Sequence, residues 1–534
     1  MALVWHPNPL LHKSTHGDYR LELAPDRIVT RSARMAYSSG HQIVSQLRRR
    51  RLGVIHLVFF TVAASAPLTV LGGGVTTAFA VTGIPGVPLA FLILALSLAI
   101  FAVGYAAMSR FVANAGAFYS YLAQGLGRVA GVSGAFVALV AYNAIQIGLY
   151  GLFGAVMADF ASATFGVSVD WWLWALLALV LVGALGVLRV DLNASILAVL
   201  LVLEIVAVVL YDLGALGDPA GGTVSTAGFQ FDQLFLPGVG AVFAFGIACF
   251  IGFESSAIYS EECKDPQRTV GRATFVAVAF TGLFYALSAW AMTVNVGPEN
   301  LQAVAAENGP GVVFAALGEH YAPIVSDVAS VLFLTSVFAA LLSFHNSVAR
   351  YFFALGRERV LPDVLDTVGT RSGGPVAGSL LQSIIAVVIL VIFVISGSDP
   401  VLELFTWFSG VAALGVVLLM TGTSAAVVGF FRRHPNAPAS VWQRLIAPVA
   451  ACLLLGAIVV ILLVNFDALL GTDPTSPLRW ILPALVLVAA AGGAVWALIL
   501  RSSRPQVYAG IGHVALAPVE DEPRLDLPTV SRRR

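Results

Sequence analysis

The feature that most constrains this chain is a recurring run of about twenty apolar residues, set off each time by a short charged or Pro/Gly-containing segment. A bilayer core of about 30 Å needs roughly 20 apolar residues per helix. With that ruler the sequence divides into twelve predicted spans, at 54–82, 86–109, 129–158, 171–188, 192–213, 234–258, 272–295, 324–353, 375–397, 401–430, 446–466 and 480–500. Composition agrees, because only 11% of the residues are charged and 58% are hydrophobic. Soluble chains carry about a quarter charged residues. A surface so poor in charge cannot face water, and the expected fold class is an all-α integral membrane protein with 12 transmembrane helices.

The placement of charge predicts the orientation. With both termini inside, the inner segments hold Arg110 and Arg128, Arg189, Lys264, Arg268 and Arg272, Arg350, Arg357, Arg359 and Arg371, and Arg432, Arg433 and Arg444. The outer segments are marked by Asp159, Asp170, Asp212, Asp218, Asp232, Glu299, Glu307, Glu319 and Asp399. Of 29 Lys and Arg residues, Arg479 alone falls outside. One miscounted span would reverse every later loop, so the bias supports a multi-pass cell-membrane protein with both ends cytoplasmic. Residues 1–51 and 501–534 mix charge, Pro and Ser without helical periodicity and are expected to be disordered cytoplasmic tails. Their basic runs, Arg48 to Arg51 and Arg532 to Arg534, read as topology signals that can also touch anionic membrane lipid. No cleavable leader is expected, since no apolar run precedes Val54. A formal net charge of zero argues for no nucleic acid partner. Cys249, Cys263 and Cys452 lie far apart without CxxC spacing and predict neither a metal site nor a disulfide framework.

Two spans are interrupted. A helix in lipid must satisfy its own backbone, so Pro and Gly clustered in mid-span need a reason. Span 1 contains Ser65-Ala66-Pro67 and, a turn later, Gly72-Gly73-Gly74. Pro67 removes a donor and clashes with the preceding turn; the glycines let another group approach the backbone. Span 6 contains Gly246 and then Phe250-Ile251-Gly252-Phe253-Glu254. Spans 1 and 6 open two successive sets of five, 52–213 and 214–431, and enter the membrane from opposite sides. Breaks in corresponding places of two inverted halves point to the substrate site of a secondary transporter. Exposed N–H groups at a half-helix start favour a carboxylate, and exposed carbonyls at a half-helix end favour an ammonium. An α-amino acid carries both. Small residues in membrane helices also serve close packing alone.

Three motifs carry a family resemblance. Gly252-Phe253-Glu254 is followed by Glu261-Glu262-Cys263-Lys264-Asp265-Pro266-Gln267-Arg268; Arg350 to Pro362 reads RYFFALGRERVLP; and Gly116-Ala117-Phe118-Tyr119-Ser120-Tyr121 lies between spans 2 and 3. In this order the chain resembles the amino acid–polyamine–organocation permease family. The resemblance implies a LeuT-like 5+5 inverted repeat plus two C-terminal helices (432–500), working by alternating access. It implies that the substrate carboxylate meets the span 1 break, among Ser65, Ala66, Pro67 and the residues up to Gly72, Gly73 and Gly74. The substrate amino group would meet Phe250, Ile251 and Gly252, with Phe250 and Phe253 as aromatic gates. Gln146 or Asn143 would supply a span 3 polar group, and Tyr119 would line the inner path. Glu262, Lys264, Asp265 and Arg268 would stabilise or gate the inner loop. Span 1 lacks the family's compact G-S/T-G-I-F break, so Ser65 to Pro67 and Gly72 to Gly74 remain alternative carboxylate sites.

Ionisable groups inside a bilayer are rare and cost roughly 2.5–3.5 kcal/mol at a helix centre on insertion scales. Glu204 lies about 18 Å into span 5 at 1.5 Å per residue, where desolvation favours the neutral acid. It is either a proton-coupling group or a carboxylate paired structurally; some proton-coupled relatives carry a lysine at what looks like this position. Glu254 is either an ammonium partner or a cap for broken backbone amides of span 1. Thr335, Ser336 and Ser343 in span 8 resemble the hydroxyls of a sodium site in the wider superfamily, but Ser and Thr also bond helices together. His345 reads as a packed, hydrogen-bonded residue. No GxxxxGK[ST], HExxH or GxSxG motif occurs, and no cofactor or enzyme activity is expected. The resulting expectation is a proton-coupled amino acid symporter, with a polyamine or other amine carrier, and a non-transporting amino acid sensor, as alternatives. The pocket is expected between spans 1, 3, 6, 8 and 10.

Overall fold

The structure, a computed structural model, describes residues 53–112, 118–188, 194–254, 263, 266–369, 373–471 and 476–512, all within the unit formed by 50–534. The expected tail 1–51 and residues 513–534 of the expected tail 501–534, the loop residues Gly116, Ala117, Glu262, Lys264 and Asp265, and Arg189 and Arg371 lie outside the described residues, as does the side chain of Arg268. Among the described residues there is no β-sheet. The long helices are α1 (Val54–Thr82), α2 (Val87–Ser109), α3 (Arg128–Phe165), α4 (Trp171–Leu188), α5 (Ala194–Gly217), α6 (Val239–Phe250), α7 (Pro266–Val296), α8 (Pro323–Arg357), α9 (Val376–Ser396), α10 (Pro400–Arg433), α11 (Trp442–Val464) and α12 (Leu478–Ser503). Eleven of them are long and apolar enough to cross a membrane, and α6 is the shorter exception.

Local chemistry sets the helix ends. α3 closes at Gly166, which takes the left-handed φ of 66° that a side chain would resist. α10 starts where Asp399 accepts the amides of Val401 and Leu402 at 2.8 and 2.6 Å, and Pro400 follows as a first helical residue with no amide to lose.

α3 is the central post, packed on α4, α8, α10 and α12, while α2 lies along α7 and α11. Small residues allow the close crossings. A Cβ on Gly415 of α10 would sit 2.7 Å from the Ala141 side chain of α3. α4, α9 and α12 present Val180, Leu380, Ile384 and Val488 outward, an apolar surface that lipid covers without cost.

Several expected boundaries move. α5 runs on to Gly217 and α3 to Phe165, so Asp212 and Asp159, expected in outer loops, belong to helices. The expected sixth span, 234–258, stops being helical after Phe250. Part of the expected C-terminal tail is folded. A short helix, Pro505–Gly510, follows α12, and the Gly512 amide donates to the Glu358 carboxylate at 3.2 Å.

Candidate substrate site

α1 breaks at Ala66. Val54–Ser65 ends there, and Ala66 takes a left-handed conformation, φ 51° and ψ 80°. Its amide folds back on the carbonyls of Val62 and Ala63 at 3.1 and 3.2 Å. The helix restarts at Pro67. Proline has no amide, so Leu68 supplies the first free N–H of the second half, and the Glu204 carboxylate from α5 lies near it. Gly72, Gly73 and Gly74 do not form the break. They lie in a π-helical stretch, Val70–Val75, where added Cβ atoms would sit 2.7 Å from Phe333, 2.9 Å from Leu152 and 2.5 Å from Cys249. The glycines are close-packing positions, and the break is Ser65 to Pro67.

α6 stops at Phe250 because the chain turns at Ile251 and Gly252. Gly252 has φ 112°, open to glycine alone without strain. Its amide donates to Glu254 Oε2 at 3.0 Å, and the Tyr142 hydroxyl of α3 donates to Glu254 Oε1. Glu254 is therefore a cap for the break in its own segment, where a cap for span 1 had been one expectation.

The two breaks meet at one cavity of about 40 Å³. Its lining comes from α1, α3, α6, α8 and α10, the five spans expected to hold substrate. Among the described lining residues only Ser65 and Thr69 carry hydroxyls; the rest are apolar or weakly polar, with Val70, Ile145, Leu149, Phe245, Ile251, Phe344 and Phe405. Of the residues expected at the site, Ser65, Gly74 and Ile251 reach the cavity. Phe250 instead packs on Phe91 and Tyr285, with ring centroids 6.1 and 6.4 Å apart, and Phe253 packs edge-on to Phe101 at 6.0 Å.

Gln146 points away from the cavity, toward the Leu341 carbonyl and His345 Nδ1, both at 3.4 Å. Its α3 neighbours Ile145 and Leu149 take the wall. Asn143 bonds the Leu139 carbonyl of its own helix at 2.7 Å. His345 is held by Ser379 at 2.6 Å, as a packed histidine would be. Tyr119 is buried and donates to Glu358, at the end of α8.

Each polar wall residue begins a hydrogen-bonded line. Thr69 Oγ1 donates to Ser336 Oγ at 2.9 Å, and Ser336 donates to Glu204 Oε2 at 2.7 Å. Ser65 Oγ lies 2.7 Å from the Tyr285 hydroxyl. Thr69 falls within the expected stretch from Ser65 to Gly74 without being singled out there, whereas Tyr285 and the three cavity phenylalanines were not expected at the site. Nothing in an apolar run distinguishes the residue facing a cavity from one facing a neighbouring helix.

The chain matches the amino acid permease family over residues 56–507. It is 34% identical over 191 residues to an uncharacterized transporter of Mycobacterium tuberculosis, covering 36% of this chain and 41% of that one, so it spans about two fifths of that relative's length. It is 27% identical over 329 residues to the branched-chain amino acid permease BcaP of Lactococcus lactis, covering 57% of this chain and 68% of that one. The low-affinity putrescine importer PlaP of Escherichia coli is 22% identical over 327 residues, covering 59% and 68%. The family match begins in α1 and ends in the helix after α12, so it encloses both breaks and every wall of the cavity. This chain is a multi-pass membrane protein that belongs to the amino acid permease family.

Proposed function

We propose that this chain is a secondary active transporter that carries aliphatic amino acids by alternating access and couples their movement to protons. The observation that carries the reading is that Ser65 and Ile251, each at a helix break, line one cavity. A half-helix start attracts an anion and a half-helix end attracts a cation. The substrate carboxylate lies toward the Ser65–Pro67 break, with the Ser65 and Thr69 hydroxyls within its reach. The ammonium lies toward the end of α6 at Phe250 and Ile251. The substrate side chain then meets Ile145, Leu149, Phe245, Phe344 and Phe405, which favours a branched aliphatic group. That lining is in keeping with the branched-chain permeases among the relatives. A diamine would press its second ammonium into the same apolar wall, where none of the described lining residues is a carboxylate and desolvation is unfavourable.

Glu204 is the coupling group in this reading. It lies near the Leu68 amide that starts the second half of α1 and receives the Ser336 hydroxyl that leads to Thr69. Gaining or losing a proton changes how firmly Glu204 holds Ser336 and, through it, Thr69, and so the shape of the carboxylate site. Sodium is the weaker choice, because one lone pair of the Ser336 oxygen already accepts the Thr69 hydroxyl proton. α6 acts as one half of a discontinuous twelfth span. The packing of α2 on α7, α3 on α8 and α4 on α9 supports an inverted repeat of 52–213 with 214–431, followed by α11 and α12. Both termini lie in the cytoplasm, by the Lys and Arg bias.

The test is counterflow of radiolabelled leucine, isoleucine, valine and putrescine in proteoliposomes, with and without a pH gradient. Exchange of the aliphatic amino acids, with accumulation when the outside is acid, is expected. Saturable binding without exchange would make the chain a sensor, and exchange of putrescine alone would overturn the substrate class. Glu204→Gln is expected to keep counterflow and lose acid-driven accumulation; accumulation at the wild-type level in that variant would remove Glu204 from the coupling.

A further inference from the structure

Tyr285 stands on α7, which supplies none of the described cavity lining, yet its side chain meets both helix breaks. Its hydroxyl lies 2.7 Å from Ser65 Oγ at the break in α1. Its ring packs on Phe250, the last helical residue of α6, and on Phe91 of α2, with centroids 6.4 and 5.8 Å apart. The side chain is buried, and these neighbours hold the ring with its hydroxyl at Ser65.

Counting protons decides which hydroxyl donates. Ser65 has one hydroxyl proton and two lone pairs, and the proton goes to the Val62 carbonyl, a turn back in α1, at 2.9 Å. Tyr285 therefore donates to Ser65. The reverse assignment would leave the Tyr285 proton buried without an acceptor among the described residues, because Ser65 is its hydrogen-bond partner there, and an unmet buried donor is unfavourable.

The Ser65 proton is the one that can be redirected. The Val62 carbonyl also accepts the Ala66 amide at 3.1 Å, so it keeps a partner when the Ser65 hydroxyl turns away. Thr69 differs. Its proton goes to Ser336, whose own proton goes to the Glu204 carboxylate, and turning Thr69 toward an anion would take the donor from Ser336. Of the two wall hydroxyls, Ser65 is thus the one free to present its proton to a substrate carboxylate. While it does so, Tyr285 still fills one lone pair of the Ser65 oxygen, and a hydroxyl that accepts a hydrogen bond is polarised into a stronger donor.

We propose that Tyr285 is a positioning residue for substrate, which donates to Ser65 and so makes the Ser65 hydroxyl a donor aimed at the substrate carboxylate. No covalent bond changes: the Ser65 hydroxyl rotates from the Val62 carbonyl to the carboxylate while Tyr285 stays in place. The ring contact with Phe250 keeps the same side chain against the end of α6, where the ammonium is placed. This inference rests on the reading that the carboxylate lies at the Ser65–Pro67 break.

Leucine binding to the full chain in detergent, with leucine counterflow in proteoliposomes, tests this. Tyr285→Phe keeps the ring and removes the hydroxyl. It is expected to raise the leucine Kd about fivefold, the loss of one hydrogen bond, and to alter the counterflow rate at saturating leucine less than it alters Kd. Ser65→Ala is expected to raise Kd at least as far. The double variant is expected to bind like Ser65→Ala alone, because Tyr285 acts through Ser65. Losses that add in the double variant would overturn the proposal, and so would a Tyr285→Phe chain that binds leucine as the unaltered chain does. A lower saturated rate with an unchanged Kd would do the same, leaving Tyr285 a support of the fold. Ser65→Ala keeps Tyr285 and gives a second reading: an unchanged leucine Kd there overturns the proposal even where Tyr285→Phe fails to fold. Absence of leucine binding by the unaltered chain would instead overturn the substrate reading on which the proposal rests.

Discussion

Ala66 is one of two described non-glycine residues with positive φ, and it occupies the one place where α1 must turn aside. A left-handed conformation costs an L-residue roughly 1–2 kcal/mol, which the neighbouring Pro67 and the buried setting of the break impose. Ala66→Gly is expected to raise stability by up to about 1 kcal/mol, after the entropy that glycine adds to the unfolded chain. Ala66→Val is expected to lower it by about 2 kcal/mol, since a β-branched side chain resists this region more than alanine does. Thermal unfolding midpoints in detergent check both. Glu254 offers a second residue-scale test. Glu254→Ala leaves the Gly252 amide and the Tyr142 hydroxyl unpaired, about 1–3 kcal/mol for each buried group, while Glu254→Gln keeps an acceptor for the amide. A cap predicts that alanine is the more destabilising of the two. A glutamine variant that melts like the unaltered chain but no longer transports would reassign the carboxylate to the substrate.

At the scale of elements, glycines decide how closely helices cross. A Cβ on Gly125 would stand 2.2 Å from the Ala426 carbonyl oxygen of α10, and one on Gly429 would stand 2.3 Å from the Gly125 carbonyl oxygen. Arg433 locks the same corner by donating to the carbonyls of Gln124 and Gly125 at 2.9 and 2.7 Å, a cation placed at the end of the short helix Phe118–Gly125. Because the obstructing atoms are backbone, Gly125→Ala cannot be absorbed by a rotamer change. It is expected to destabilise by about 1–3 kcal/mol, again read from the unfolding midpoint. The same reasoning separates the glycines of α1 from its break. Both Ser65-Ala66-Pro67 and Gly72-Gly73-Gly74 look like interruptions in the linear sequence, and both alternatives stood open there. Only the neighbours Phe333, Leu152 and Cys249 identify the second as packing.

The whole molecule supplies its own probe of the proposed site, because Cys249 lines the cavity and is buried. In a Cys263→Ser, Cys452→Ser background, a small thiol reagent reaches Cys249 only while the cavity is open to one side. Saturating leucine is expected to slow that labelling, followed by mass spectrometry. Labelling at one rate with and without every aliphatic amino acid would detach this cavity from substrate.

What the sequence by itself determined was the membrane-spanning, all-helical character, the positions of the long helices and the two helix breaks, because each depends on local apolar length or on Pro and Gly within a few residues. The motifs around Gly252, Arg350 and Tyr119 also sufficed to indicate the family. Tertiary structure alone decided which face of each helix meets the cavity, putting Ile145 and Leu149 there in place of Gln146. It alone showed that Glu204 receives the Ser336 hydroxyl, that Glu254 caps its own segment, and that Asp212 is buried within a helix. The reason is physical: an apolar helix in lipid is apolar all round, so its sequence carries no periodic signal for the direction of the interior, and the partner of a buried polar group comes from a different helix.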